Sequence, residues 1–309
     1  MPALPARHPL PPRRPGHPAP AELAAMREAS RGPSFFPLVP EVTVAELSPG
    51  GVRTLELTPP GALRGTMVWF HGGGYRQGSP DRMTGFLSQL AVQAQCRVLA
   101  PAYALAPEAP YPAALHDAAE VFAAEQARAP EEALVIAGDS AGGGLAAAAC
   151  LAFGAALPGL RGAVLLSPWV DLTITADTFE RCAQSDILFS RESAETAADL
   201  YLQGLSADLP LASPLFAENL ADMPPTLIIA GSAEVLLQDS VDFAARLAAQ
   251  HVGVELMVVP HMQHVSPALF PGLPSTARGQ ATMARFIAAQ LSGEGALGPD
   301  PQSGPAGGA

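Results

Sequence analysis

The stretch "IAGDSAGGGLAAAA", residues 136–149, runs from an apolar segment through a glycine-bracketed serine into an alanine-rich segment. The preceding "ALVIAG" (133–138) has the continuous apolar character of a strand buried on both faces, and 140–156 reads as a helix. Ser140 therefore stands on a sharp strand-to-helix turn with its hydroxyl exposed. Gly138 and Gly142 occupy the positions where a side chain would collide with neighbouring backbone. The helix that follows aims its N-terminal amides at the hydroxyl, where negative charge develops in acyl transfer. Composition alone produces Gly-x-Ser-x-Gly in roughly one chain in ten of this length. The strand–turn–helix setting gives the motif its weight.

Outward from this turn the same rhythm repeats. "TMVWF" (66–70), "RVLAPAY" (97–103), "GAVLLS" (162–167), "TLIIAG" (226–231) and "VELMVV" (254–259) read as strands. Helices are predicted over 80–95, 112–129, 238–251 and 275–291, the first capped by Ser79 with Pro80 at its first position. Alternation of buried strands with helices implies a parallel sheet. Before it, "EVTVAEL" (41–47) and "VRTLELT" (52–58) alternate at period two around Pro49-Gly50-Gly51 and read as an antiparallel hairpin. The expected fold class is α/β, with a mixed, mostly parallel eight-stranded sheet flanked by helices. Residues 172–223 are too long for a simple loop and read as an insertion with one helix at 191–203. A short helix is expected at 21–31, while residues 1–20 and 293–309, rich in proline or glycine, read as disordered.

Composition narrows the function. The 309 residues allow one large domain or two modest ones, and 49% hydrophobic content supplies ample core. Net charge is −12 and no window forms a basic stripe, which excludes a nucleic-acid binder. All 17 basic residues are arginine, read as a coding bias. Cys96, Cys150 and Cys182 are far apart and lack CxxC spacing, so neither a disulfide framework nor a zinc site is indicated. No apolar run of membrane-spanning length exists, and the N-terminus lacks the apolar core of a signal peptide. A cytoplasmic location is the resulting expectation.

A serine hydroxyl needs a base to become a nucleophile, and the base needs an orienting carboxylate. Glu234 follows the strand 226–231, and His264 follows the strand 254–259. The order serine, acid, histidine on successive strands at one sheet edge matches a catalytic triad. His261 is a weaker candidate base, and Asp239 the alternative acid, although its position near a helix start reads as a cap. Acyl transfer also needs preorganised N–H donors for an oxyanion. "FHGGGYRQGS" (70–79) follows a buried strand with three glycines in a row, so Gly73 and Gly74 are the expected donors, joined by Ala141. His71 and Gly72 are expected to shape that loop.

These motifs together with "YALAPEAPYPAALHD" (103–117), "SPWVDL" (167–172), "GSAEVLLQD" (231–239) and "HMQHVSP" (261–267) resemble the bacterial hormone-sensitive-lipase-like esterases of the α/β-hydrolase superfamily. The match covers about 40–292. The resemblance implies hydrolysis of short- to medium-chain carboxylic esters without metal or organic cofactor. It also implies a small helical cap built from 1–40 and 172–223 over a catalytic domain at 41–292, and a possible homodimer. The same machinery could serve a lactone, carbamate or amide. Four residues depart from the family pattern: Glu234 stands where aspartate is usual, Ala102 and Ala104 replace an aspartate and an arginine, and Ser266 replaces a bulky apolar residue. Glu108 and Asp117 are read as structural, and Tyr75, Trp169 and Leu236 as candidate pocket-lining residues.

Overall fold

Apolar residues of alternate parity sort themselves onto the two faces of one central sheet. Val68, Phe70, Leu134 and Ile136 pack into one core cluster, and Met67, Trp69, Val135 and Ala137 into another. This is the period of two that a strand imposes, with both faces covered. The computed structural model describes residues 18–293. Of the tails expected at 1–20 and 293–309, residues 1–17 and 294–309 lie outside the described residues, and Pro20 already opens a helix.

In chain order the elements are α1 (Pro20–Ser30), β1 (Thr43–Leu47), β2 (Thr54–Thr58), β3 (Thr66–Phe70), α2 (Pro80–Ala94), β4 (Arg97–Pro101), α3 (Ala113–Arg128), β5 (Leu134–Asp139) and α4 (Ala141–Phe153). There follow β6 (Leu160–Leu166), α5 (Thr178–Arg181), α6 (Arg191–Leu202), β7 (Thr226–Gly231), α7 (Leu237–Ala249), β8 (Val254–Val259), α8 (Ser266–Leu269) and α9 (Pro274–Ser292). The eight strands form one sheet in the order β1-β2-β4-β3-β5-β6-β7-β8. β1 pairs antiparallel with β2 and β2 with β4, and every later pairing is parallel.

The strand order creates the site. β3 and β5 are neighbours, yet their following helices leave toward opposite faces. α2 contributes Phe86 and Leu87 to the Met67 side, whereas α4 contributes Leu145 and Phe153 to the Phe70 side. At such a switch point the two loops diverge and leave a crevice at the carboxyl ends of the strands. The loops are 71–79 and the turn at Ser140.

Local signals account for most boundaries. Ser79 Oγ accepts the Asp81 amide at 3.2 Å, and Pro80 opens α2 as expected. The hairpin turns through a 3-10 segment at Pro49–Gly51. The stretch 172–223, expected as an insertion, holds α6 near its expected place, plus α5, a single turn too short to show a helical period. β8 departs from expectation. Its apolar run reads as buried, but Leu256 and Val258 are 40% exposed because β8 is the edge strand, paired only with β7. Among the described residues, no helix is long and apolar enough to cross a membrane.

Candidate active site

β5 ends at Asp139, and the chain turns at once into α4. Ser140 takes φ 54°, ψ −123°, a region that side chains rarely adopt. Its backbone is held from several sides: the amide donates to Leu166 O at 2.9 Å, and the carbonyl accepts from Gly144 and Trp169 amides. A Cβ on Gly138 would lie 2.2 Å from Gly142 O, and one on Gly142 would lie 2.0 Å from Phe70 O. Backbone, not a movable side chain, excludes any larger residue there. These contacts hold the Ser140 hydroxyl up at the crevice.

His264 and Glu234 meet Ser140 from the loops after β8 and β7. His264 Nε2 lies 2.9 Å from Ser140 Oγ, and His264 Nδ1 lies 2.8 Å from Glu234 Oε2. Glu234 is fully buried, and its other oxygen accepts the Gly231 amide at 2.8 Å. The extra methylene of glutamate is thus taken up within the loop 231–234. Val265 donates to Ser167 Oγ at 3.1 Å, fixing the histidine loop to the end of β6. Burial, the largest single influence on His264, opposes its protonation. The bond and charge of Glu234, with the charges of Asp186 and Asp139, outweigh it and raise its pKa above the ordinary value.

The glycine loop closes the opposite side. Gly73 has φ +124° and a Cβ there would meet Gln77 O at 2.1 Å, so the loop bends back on itself only with glycine. The Gly73, Gly74 and Ala141 amides have no hydrogen-bond partner among the described residues. Asp139, which sequence reasoning passed over inside the serine motif, ties this loop to the serine turn. Its oxygens accept Trp69 Nε1 at 2.9 Å and the Gly72 amide at 3.0 Å. Burial raises the Asp139 carboxyl to a pKa of about 6. His71 lies under the loop, stacked on Tyr103 at 4.4 Å, and burial lowers its pKa to about 4. It is a neutral ring that supports the loop.

A cavity of about 470 Å³ opens above these groups. Met26, Ser30 and Phe35 of the N-terminal segment and Leu188, Phe189 and Ser193 of the insertion share its walls. Phe189 stacks on His264 with centroids 5.8 Å apart. Arg27 anchors α1 at this wall: it donates to Arg76 O and Ala106 O and pairs with Glu108 at 2.7 Å. Asp117 accepts the Ala104 amide at 2.7 Å.

Several expected positions need correction. Tyr75, Trp169 and Leu236 do not line this cavity; they are 2%, 0% and 0% exposed. Tyr75 stacks on Tyr201 at 3.8 Å, and Trp169 Nε1 donates to Asp171 O. Gly74 and Arg76, on either side of Tyr75, face the crevice, while the Tyr75 side chain lies in the core with Trp169 and Leu236. Asp239 does not cap α7. It is buried and accepts the Val170 and Asp171 amides, and burial with the charge of Asp171 holds its pKa well above the carboxylate range. The structure brings Asp239 to the loop after β6, whereas Glu234 meets His264. His261 sits on the surface, its amide bonded to Ser232 Oγ.

Comparison with known proteins gives the family. Residues 67–267 match the family model described as alpha/beta hydrolase fold. An esterase from Acinetobacter venetianus is 31% identical over 257 residues, which span 82% of this chain and 84% of that protein. An acetyl-hydrolase from Streptomyces hygroscopicus is 37% identical over 237 residues, spanning 74% and 77%. A crystal structure of an esterase from the bacterial hormone-sensitive lipase family superposes with TM-score 0.80 at 33% identity, covering 91% of this chain and 93% of that one. The chain belongs to the α/β-hydrolase-fold family, and within it to the hormone-sensitive-lipase-like carboxylesterases.

Proposed function

We propose that this carboxylic ester hydrolase works through an acyl-enzyme on Ser140. The observation that carries the reading is the hydrogen-bonded line Glu234–His264–Ser140 beside three amides without a partner among the described residues. Ser140 Oγ attacks the ester carbonyl carbon while His264 Nε2 takes its proton. Glu234 accepts the Nδ1 proton bond, fixes the tautomer and stabilises the imidazolium. The carbonyl oxygen, now an oxyanion, accepts hydrogen bonds from the Gly73, Gly74 and Ala141 amides. Collapse of the intermediate expels the alcohol, which leaves with the proton from His264. Water then attacks the acyl-enzyme with His264 again as base, releasing the acid and restoring the Ser140 hydroxyl.

The N-terminal segment and the insertion act together as a cap that bounds the acyl chain. A cavity of about 470 Å³ suits short- to medium-chain esters. The test is a p-nitrophenyl series from acetate to palmitate with wild-type protein and Ser140→Ala. Turnover should peak at the short end and vanish in the variant. Undiminished turnover in Ser140→Ala removes the mechanism, and a maximum at palmitate removes the chain-length reading.

A further inference from the structure

Two arginines of this chain are equally withdrawn from water and differently treated. Arg97 is 7% exposed and has two carboxylates, Glu56 at 2.6 Å and Glu125 at 2.5 Å. Arg76 is 8% exposed and has none within ion-pair distance among the described residues. Among the described residues, one of its five N–H donors is bonded, from Nη2 to Ser193 Oγ at 2.7 Å, and the buried Nε has no partner. Glu22 is the carboxylate whose charge acts on it, without closing to a pair, and burial lowers the guanidinium's pKa. A buried charge without a counter-ion is costly, and a protein keeps one where a ligand completes it.

Arg76 stands in the wall of the catalytic cavity. It follows the proposed oxyanion loop directly, and its Nε lies 3.8 Å from where a Cβ on Gly74 would be. The rest of the wall agrees in sign. The chain carries net charge −12, yet the charged lining of the cavity is Arg76, Arg82 and Asp139, apart from His71 and His264. Asp139 is turned back onto Trp69 and Gly72. Arg82 is engaged, donating to Ala29 O and lying over the Phe35 ring at 4.1 Å. Arg82 is only half-buried and can turn its remaining donors to water, so Arg76 is the buried cation of this wall with donors to spare. Its planar fork matches a carboxylate in two parallel bonds.

We propose that Arg76 is a specificity-determining residue that selects esters carrying a carboxylate, through an ion pair formed inside the cavity. The proposal rests on the ester-hydrolase reading above and deepens it. The carboxylate can sit on the acyl or the alcohol portion of the ester, and matched substrates distinguish the two. Monoethyl adipate against ethyl hexanoate probes the acyl side; 4-acetoxybutyrate against butyl acetate probes the alcohol side.

The experiment measures kcat/KM for the four esters by pH-stat in wild type, Arg76→Met and Arg76→Lys, with thermal unfolding of each. The ratio of anionic to neutral ester should fall about tenfold or more in Arg76→Met in at least one pair, and Arg76→Lys should retain most of it. A change below about twofold in both pairs overturns the proposal. So does wild-type protein that turns over the neutral esters but rejects both anionic ones by about tenfold, a result that needs no variant. Failure of wild type on all four esters instead removes the ester-hydrolase reading, which the neutral pair reports separately.

Discussion

Asp186 Oδ2 accepts the Val235 amide at 2.9 Å, joining the insertion to the loop that carries Glu234. Its other oxygen accepts the Leu188 and Phe189 amides at 2.9 and 3.0 Å, and Phe189 stacks on His264. One buried carboxylate thus organises the cavity wall and the acid loop at once. Asp186→Ala leaves three backbone donors without their acceptor, each worth about 1–3 kcal/mol when buried. The expected result is a lower melting temperature together with a loss of kcat/KM, read by calorimetry and ester turnover. Full activity with only a stability loss would confine Asp186 to a structural part.

The acid position is tested by a pair of neutral isosteres. Glu234→Gln should lower kcat by about 10³–10⁴-fold, because it disturbs the histidine tautomer while keeping the shape. Asp239→Asn should lower it far less, since that carboxyl lies on the Val170–Asp171 amides rather than on His264. The reverse ranking would move the acid to Asp239.

The pH profile follows from His264. It must be neutral to accept the Ser140 proton, and its pKa is raised because Glu234, Asp186 and Asp139 together overcome burial. Activity is therefore lost as pH falls through that raised value, and the acidic limb of kcat/KM lies above the ordinary histidine range near 6.5. Asp186→Asn removes one of the negative charges and should move the limb to lower pH. A limb that stays put would show that Asp186 does not act on the imidazole.

Gly142→Ala offers a steric test. The added Cβ would sit 2.0 Å from Phe70 O and 2.5 Å from His71 O, both backbone atoms with no room to retreat. The expected cost is about 3 kcal/mol, with loss of activity from displacement of both the serine turn and the glycine loop. A variant that keeps wild-type stability and turnover would mean that the crevice walls yield more easily than these contacts allow.

What could be read before the structure divides along a physical line. Ser140, Glu234 and His264 end up in one hydrogen-bonded line because each lies just past a strand, where short loops leave little choice of position. The strands themselves announced their places through continuous apolar runs. Tyr75, Trp169 and Leu236 were misplaced because nearness to a motif does not give the direction of a side chain. Asp186 and Ser193 left no signal, since they lie in the aperiodic stretch 172–223 and their partners, Val235 and Arg76, are far away in sequence; Arg76 was legible as a residue at the mouth of the pocket, but not its burial. The exposure of β8 was hidden for another reason: an apolar run has the same letters whether its strand is central or at an edge.

The anchoring of α1 sets where the molecule is softest. Leu23 is the one residue of that helix that is buried, so apolar packing holds it weakly. Its polar fastenings are the Arg82 bond to Ala29 O and Arg27, whose ion-pair partner Glu108 has a side chain 63% exposed and open to screening by salt. Glu234, His264 and Ser140, by contrast, are buried and, among the described residues, carry no surface ion pair. Ionic strength therefore acts on the gate rather than on the engine: it loosens the helix that bounds the cavity and leaves the proton-transfer line intact. A local opening of this kind needs only a fraction of the free energy of global unfolding, so substrate admission and chemical turnover answer to separate parts of the chain.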